Sequence, residues 1–380
     1  MPLRFFVFFG TVLSVLAGAH VLVGWRLAAA LGLVGGARTL LWLGLGFLGS
    51  LTIVSMAVSR RSEAETFLFD VLIWTGLLWM GLLLLLFTAA TGSALLALVG
   101  RLAGLPEAVV RQGGLALFAT AVLAGIAGVF TALSAPRIHE VEARIPGLPA
   151  AFDGYRIAHI TDTHVGPTLR RAWVERLVAR VDSAKADLVV HTGDFVDGSV
   201  DRLRTHVEPF SKLRGKDATL FVTGNHETYS DAIAWSAHAG ELGFQVLVNA
   251  HTPIVRGSDT LVVGGVTDHR EGQAFPGRSP DARKAFAGAP AGTRILLAHQ
   301  PVQAHAAQGL GVALQLSGHT HGGQIWPFHH LVRLAQPVVS GFGRVGDVLV
   351  FVSNGAGYWG PPMRLFAPPE VPILVLRRAD

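Results

Sequence analysis

The sequence predicts an α-helical transmembrane region of about four helices followed by a layered α/β sandwich of mixed sheets flanked by helices. Three observations carry that prediction. The 380-residue chain is 51% hydrophobic and only 15% charged, with a mean hydropathy of +0.46, which is apolar for a soluble globular protein. Polarity is unevenly placed: residues 1–130 hold four of the 26 acids, one of the 16 histidines and no lysine. Beyond residue 155, short apolar runs alternate with amphipathic stretches, the pattern of strands and covering helices.

Four stretches, residues 5–25, 39–58, 67–90 and 115–135, reach the ~20 apolar residues a helix needs to cross a bilayer. Arg4, Arg26, Arg38, Arg60, Arg61, Arg101, Arg111 and Arg137 sit at their ends, where long cationic side chains reach headgroups. Residues 5–24 could pass for the core of a leader peptide, but three further spans argue against cleavage. Residues 91–100 either lengthen the third helix or lie at the interface. With Arg144 counted as well, the flanking arginines divide five to four between the two sides, which gives no bias under the positive-inside rule. The reading taken is a bacterial inner-membrane protein whose catalytic part is cytoplasmic. Asp70 is the one acid inside a span; near the span's start, it reads as an interfacial residue. His20 reads as packing or interfacial.

Residues 1–135 are thus a transmembrane region and 136–151 a linker. Within that linker, Arg137 to Ile145 alternate charged and apolar residues as an extended strand does, and Pro146-Gly147-Leu148-Pro149 turns the chain. In residues 152–380, strands are expected at 156–160, 188–191, 219–222, 246–248, 260–263, 294–298 and 312–316. Helices are expected at 170–183, 202–213 and 231–239. More antiparallel character is expected after residue 245. The chain has no cysteine, so disulfides and thiolate metal sites are excluded. The net charge of +5 is modest, and no arginine-rich run points to nucleic acid.

The loops after five of these strands carry polar clusters. They are Thr161-Asp162-Thr163-His164, Gly193-Asp194-Phe195-Val196-Asp197, Gly224-Asn225-His226-Glu227, Ala298-His299-Gln300 and Ser317-Gly318-His319-Thr320-His321-Gly322-Gly323. In α/β sheets ligands gather beyond the carboxyl ends of strands, so five such clusters converge on one crevice. Singly each is ordinary: Gly-Asp is a common turn, and Asn225 or Glu227 could cap the following helix. Together, imidazoles and carboxylates suit zinc, manganese or iron, and a carboxylate can bridge two ions.

As an ordered set, these clusters resemble the calcineurin-like metallophosphoesterase family over about residues 152–380. Ser317–Gln324 and the tail from Val352 through Arg364-Leu365-Phe366-Ala367-Pro368-Pro369-Glu370 are similar to its bacterial YkuE/YaeI-type branch. That branch is similar to membrane-associated phosphodiesterases, including UDP-diacylglucosamine pyrophosphohydrolases. The four-span region lies outside the resemblance. The resemblance implies an α/β metallophosphoesterase domain with two divalent metal ions (Mn, Zn or Fe). By it, Asp162, His164 and His321 hold the first ion, Asn225, His299 and His319 the second, and Asp194 bridges them. Asp194 and Asn225 thereby share in catalysis with His226, which assists the leaving oxygen, while Asp197 orients the ligand loops. No ligand position of the family pattern is missing.

The function implied is a membrane-anchored phosphohydrolase. A metal-bridging hydroxide would attack a phosphodiester or pyrophosphate bond in a lipid-linked or envelope substrate. The partners expected are the lipid bilayer and a phosphorylated small molecule, with no nucleic acid. The alternatives are a phosphomonoesterase, protein phosphatase or nuclease acting on soluble substrates, or a non-catalytic phosphate-binding sensor. His159 and His191 are read as packed beneath the site, and Asp268 as a supporting residue. Trp326, Phe328, Tyr358, Trp359, Pro361 and Met363 are read as an apolar rim, with Trp326, Tyr358 and Trp359 nearest the substrate.

Overall fold

A computed structural model describes residues 3–59 and 66–379, with side chains from residue 10 onward; of the span-end arginines, Arg60 and Arg61 and the side chain of Arg4 lie outside it. The chain divides into two compact units, one comprising residues 1–133 with 360–365 and the other residues 134–359 with 366–380.

The first unit contains helices α1 (Leu3–Leu31), α2 (Gly35–Ser59), α3 (Phe67–Leu102) and α4 (Glu107–Leu133). Each is long and apolar enough to cross a membrane. Residues 91–100 lengthen α3, and α4 begins eight residues before the predicted span. In hydrocarbon, helices associate through small residues and interhelical hydrogen bonds rather than through the hydrophobic effect. The α2–α3 contact follows that rule. Thr52 Oγ1 donates to Gly76 O at 3.1 Å, and Ser55 Oγ to Leu72 O at 2.8 Å. A Cβ on Gly76 would lie 2.1 Å from Ser55 Oγ, so only glycine lets the backbones come this close. His20 is a packing residue: its Nδ1 donates to Leu16 O at 2.8 Å, and its Nε2 accepts from Trp79 Nε1 at 3.0 Å. Asp70 lies in the first turn of α3, where the helix dipole favours an acid.

Six late residues, Gly360–Leu365, belong to this helical unit. Arg364 N donates to Gly128 O at 2.8 Å, and Met363 packs against the Cα of Gly128. Pro361 and Met363, read from the sequence as rim residues, are therefore helix-packing residues instead.

The second unit is built on two six-stranded sheets. The first has the order β1 (Arg137–Pro146), β12 (Glu370–Ala379), β2 (Arg156–Ile160), β3 (Leu188–His191), β4 (Ala218–Phe221) and β5 (Gln245–Val246). The second runs β10 (Gly341–Val345), β11 (Val348–Val352), β9 (Val312–Ser317), β8 (Thr293–Leu297), β7 (Asp259–Gly265) and β6 (Ala250–Arg256). Alternation explains the layering. Ile157, Leu188, Leu220, Leu261, Leu297, Leu314 and Phe351 fill the space between the sheets. Ala158, Val189 and Phe221 face the other way, under α5 (Arg171–Asp182), α6 (Val200–Val207) and, beyond the short α7 (Asn225–Tyr229), α8 (Ala232–Glu241).

Residues 137–146, assigned above to a linker, are a full strand. β1 pairs with β12 in parallel over ten residues, and its Ala143 and Ile145 join the inter-sheet core. Strands β6, β10, β11 and β12 were not expected. The helix expected at 202–213 ends at Val207 and passes into a 3₁₀ turn containing Pro209, because proline cannot donate within a helix.

Candidate metal centre

β2, β3 and β4 run parallel, as do β7, β8 and β9. Their carboxyl ends therefore lie on one edge of each sheet, and the two edges meet. His299 Nδ1, after β8, donates to Thr192 O, after β3, at 2.8 Å, and Gly318 N donates to His299 O at 3.0 Å. The loops are bent inward by unusual backbone. Ten described non-glycine residues have positive φ, and five of them are Asp162, His164, Asp194, His319 and His321. Each such residue costs of order 1–3 kcal/mol and persists where the surroundings over-determine it.

The seven predicted ligands converge. His321 Nε2 lies 3.2 Å from Asp162 Oδ1 and 3.0 Å from His164 Nε2. His299 Nε2 lies 3.2 Å from Asp194 Oδ2, 3.2 Å from Asn225 Oδ1 and 3.2 Å from His319 Nδ1. Asp194 Oδ2 also stands 3.7 Å from His164 Nε2, so one carboxylate faces both groups. Asp162, His164 and His321 form one triad able to hold a cation, and Asp194, His299 and His319 another.

The donor chemistry fits cations. Because His299 gives its Nδ1–H to a carbonyl, its Nε2 is a lone pair in the neutral ring. That lone pair faces a carboxylate and an amide oxygen, an arrangement that demands a proton or a metal ion. Burial alone would push His299 down, but the Asp194 and Asp162 carboxylates raise it to about 10. Burial and the neighbouring His299 instead lower His319 to about 3, leaving a neutral ring. Burial penalises the charged forms of Asp162 and Asp194, yet the surrounding imidazoles hold both well below the ordinary carboxylate range.

A third group, His164, Asp197 and His226, could also be read as a metal triad. Its hydrogen bonds say otherwise. Asp197 Oδ1 accepts from His164 Nδ1 at 3.1 Å and from His226 Nδ1. One carboxylate thus orients two rings, leaving their Nε2 atoms for the centre. His226 Nε2 stands 3.9 Å from Asp194 Oδ2.

Close approach depends on two glycines. A Cβ on Gly318 would sit 2.0 Å from Asp162 Oδ2, and one on Gly224 2.3 Å from Asp194 Oδ1. Without a side chain at 318, His319 N donates to both Asp162 oxygens at 3.0 Å.

Glu227, which the sequence offered only as a helix cap, ties the loops of the site together. Fully buried, it accepts from Gly224 N at 2.7 Å, Asp194 N at 3.0 Å, Phe195 N at 2.8 Å and Val196 N at 3.3 Å. Burial and the Asp194 charge push its carboxyl up to about 7, against the pull of those N–H groups. The signal was an acid at the third helical position after Gly224, placed to accept from the Gly224 N–H.

Asp268, fully buried, accepts from Gln300 Nε2 at 2.8 Å, beside His299. His159 and His191 are packed below the site, bonded to Thr192 and Thr163, and burial lowers both to about 3.

Of the three residues expected nearest the substrate, Trp326 and Trp359 are 41% and 40% exposed, but Tyr358 is only 2% exposed. Tyr358 is therefore a core residue. Its neighbour takes the surface because Gln324 brackets the Trp359 backbone, donating to its O at 3.0 Å and accepting from its N at 3.2 Å. Phe328, Leu331, Leu334 and Phe366 are exposed as well.

Residues 155–323 match the family model for calcineurin-like phosphoesterases. A transmembrane protein with metallophosphoesterase domain from Danio rerio is 37% identical over 71% of this chain and 63% of its own length. A metallophosphoesterase of Campylobacter jejuni is 32% identical over 69% of each chain, and YkuE of Bacillus subtilis 27% over 61% of this chain and 82% of its own. The chain thus spans somewhat less than two thirds of the length of the vertebrate relatives it matches. With the match to the family model and a relative 32% identical over 69% of its own length, the chain belongs to the calcineurin-like metallophosphoesterases.

Proposed function

We propose that the protein is a membrane-anchored hydrolase of phosphodiester or pyrophosphate bonds that uses two divalent ions and acts on a lipid-linked substrate. The observation that carries this reading is the pair of donor groups facing one another across Asp194. Asp162, His164 and His321 would hold one ion, Asn225, His299 and His319 the other, and Asp194 would serve both. Bound manganese, zinc or iron would acidify water and neutralise phosphate oxygens.

The remaining chemistry belongs to side chains. Asp197 fixes the His226 ring through Nδ1, leaving Nε2 to give a proton to the departing oxygen. Glu227 holds the backbone of the Asp194 loop and Gly224 together, so the bridging carboxylate cannot drift. Exposed Trp326, Phe328, Trp359 and Phe366 suit acyl chains or a membrane surface better than a soluble substrate.

Full-length protein in detergent, stripped with chelator and reloaded with manganese, zinc or iron, tests this. Metal should restore cleavage of bis-p-nitrophenyl phosphate over the monoester, with faster turnover of a micellar lipid-extract substrate. Absence of metal-dependent hydrolysis of any of these would sink the reading. Preference for the monoester without a micelle effect would replace it with a soluble-substrate phosphatase. The orientation within it is a bacterial inner membrane with the domain in the cytoplasm. Because the chain has no cysteine, a single Ser258→Cys substitution reports it: labelling of intact cells by a membrane-impermeant maleimide would reverse the assignment.

A further inference from the structure

The helical unit contains a groove of about 460 Å³, within the ~300–1,000 Å³ of ordinary ligand sites. All four helices line it, among them Gly44 and Leu48 of α2, Trp79 and Leu86 of α3, and Leu115 and Phe118 of α4. The lining side chains are hydrocarbon apart from the Trp79 indole, whose Nε1–H already goes to His20. Such a site offers an occupant no hydrogen bond and asks for an alkyl chain.

Arg26, Arg38 and Arg111 stand toward one end of the groove. On α3, Trp79, Leu86 and Ser93 recur every seven residues and so share a stripe. At the Ser93 end, Arg26 Nη2 donates to Ser93 O at 2.9 Å and to Ser93 Oγ at 3.1 Å. Arg111 lies one turn before Leu115, and its Nη1 approaches Gly32, next to the lining residue Leu31. Arg38 lies one turn before Leu41, also in the lining. Toward the other end, residues 71–79 and 122–133 carry no charge. An apolar slot with three arginines toward one end matches a lipid with its phosphate at the arginines and a chain running toward Trp79.

We propose that this groove is a binding site for one anionic phospholipid of the bilayer, separate from the metal centre and independent of the reaction assigned to it. The test uses full-length protein in detergent, titrated with phosphatidylglycerol brominated on one acyl chain. The Trp79 signal is the fluorescence difference between wild type and Trp79→Phe. Quenching should saturate at low lipid, and phosphatidylcholine with the same chain should require several-fold more. A Cβ at Gly44 meets no atom within 4 Å, so Gly44→Phe should fill the groove without clash and abolish the saturable phase. Leu41→Phe should do the same from a neighbouring position, guarding against a folding artefact. Arg111→Gln should bring phosphatidylglycerol to the phosphatidylcholine level. Quenching that rises without saturation and equally in Gly44→Phe would mean bulk lipid only and overturn the proposal. So would a cross-linked dimer that Gly44→Phe makes monomeric, since a second copy would then fill the groove.

Discussion

The helical unit and the metal centre hold their backbones close by opposite means. Between α2 and α3, one glycine and two hydroxyls suffice, and the surrounding leucines are interchangeable hydrocarbon. At the centre nearly every side chain is tied twice, and five of its residues sit at positive φ, which is uncommon without glycine. The first arrangement tolerates substitution almost everywhere except at the contact. The second tolerates it almost nowhere, because each residue positions another. The steepest contrast comes from Asp194→Asn, which keeps the side chain's size and removes the charge facing both triads. Turnover should fall by about 10³-fold or more, since metal-assisted stabilisation of phosphate charge is lost. Elemental analysis should show both sites depleted; full occupancy with full activity would break the comparison.

His226→Gln separates chemistry from metal binding. The ring is oriented by Asp197 but holds no place in the two ligand triads. Turnover should drop by about 10²-fold, the lower end for a lost general acid, while metal content stays at the wild-type level. Loss of metal in this variant would make His226 a ligand instead. Glu227→Gln probes the supporting layer. An amide replaces one acceptor oxygen with a donor facing backbone N–H groups, so metal affinity should weaken by ~10–100-fold. A chelator titration followed by activity reads that shift, and an unchanged midpoint would mean that the Asp194 loop holds its shape unaided.

How much of this was legible in the sequence differs between the two regions for physical reasons. The spans were readable because twenty apolar residues have one common use, and the ligands because His, Asp and Asn at strand ends announce chemistry. Of the residues that support those loops, Asp197 and Asp268 were readable and Glu227 was not. Glu227 looks like an ordinary helix cap, and its four backbone donors come together only when β3 and β4 are adjacent. β12 escaped notice because Glu370–Ala379 is almost continuously apolar, as a strand covered on both faces must be. Its pairing with β1 is what turns residues 137–146 from a link into sheet. The burial of Tyr358 beside exposed Trp359 depends on Gln324, 35 positions before Trp359, and local pattern does not encode it.

Within the helical unit the expected effects are smaller and confined to contacts. Gly76→Val would place a Cβ 2.1 Å from Ser55 Oγ and 2.9 Å from Leu51 O. Overpacking of this kind costs about 1–3 kcal/mol, and thermal unfolding in detergent should show it. Leu43→Ala, on the exposed side of α2, should change the same midpoint by less than about 0.5 kcal/mol. Equal losses in the two variants would mean that α2 packs through its outer face.

A modest effect is expected in the sheet unit, at a charged cluster away from the candidate metal centre. Asp187 accepts from Arg156 N at 2.9 Å, Lys216 Nζ at 3.1 Å and Arg256 Nη2 at 3.1 Å. Burial works against its charge, but those three donors outweigh burial and lower its pKa below the ordinary 3.8. A group depressed in the folded state stabilises fully above its unfolded pKa, and that stability is lost as pH falls through the folded value. Lys216 and Arg256 are partly solvated, so Asp187→Asn should cost only about 1 kcal/mol at neutral pH. Measured against wild type, that difference should hold from pH 7 to about 5 and shrink below pH 4. A difference that instead grew on acidification would mean that Asp187 is protonated in the fold and that the backbone contact to Arg156, not charge, ties β2 to the loop before β3.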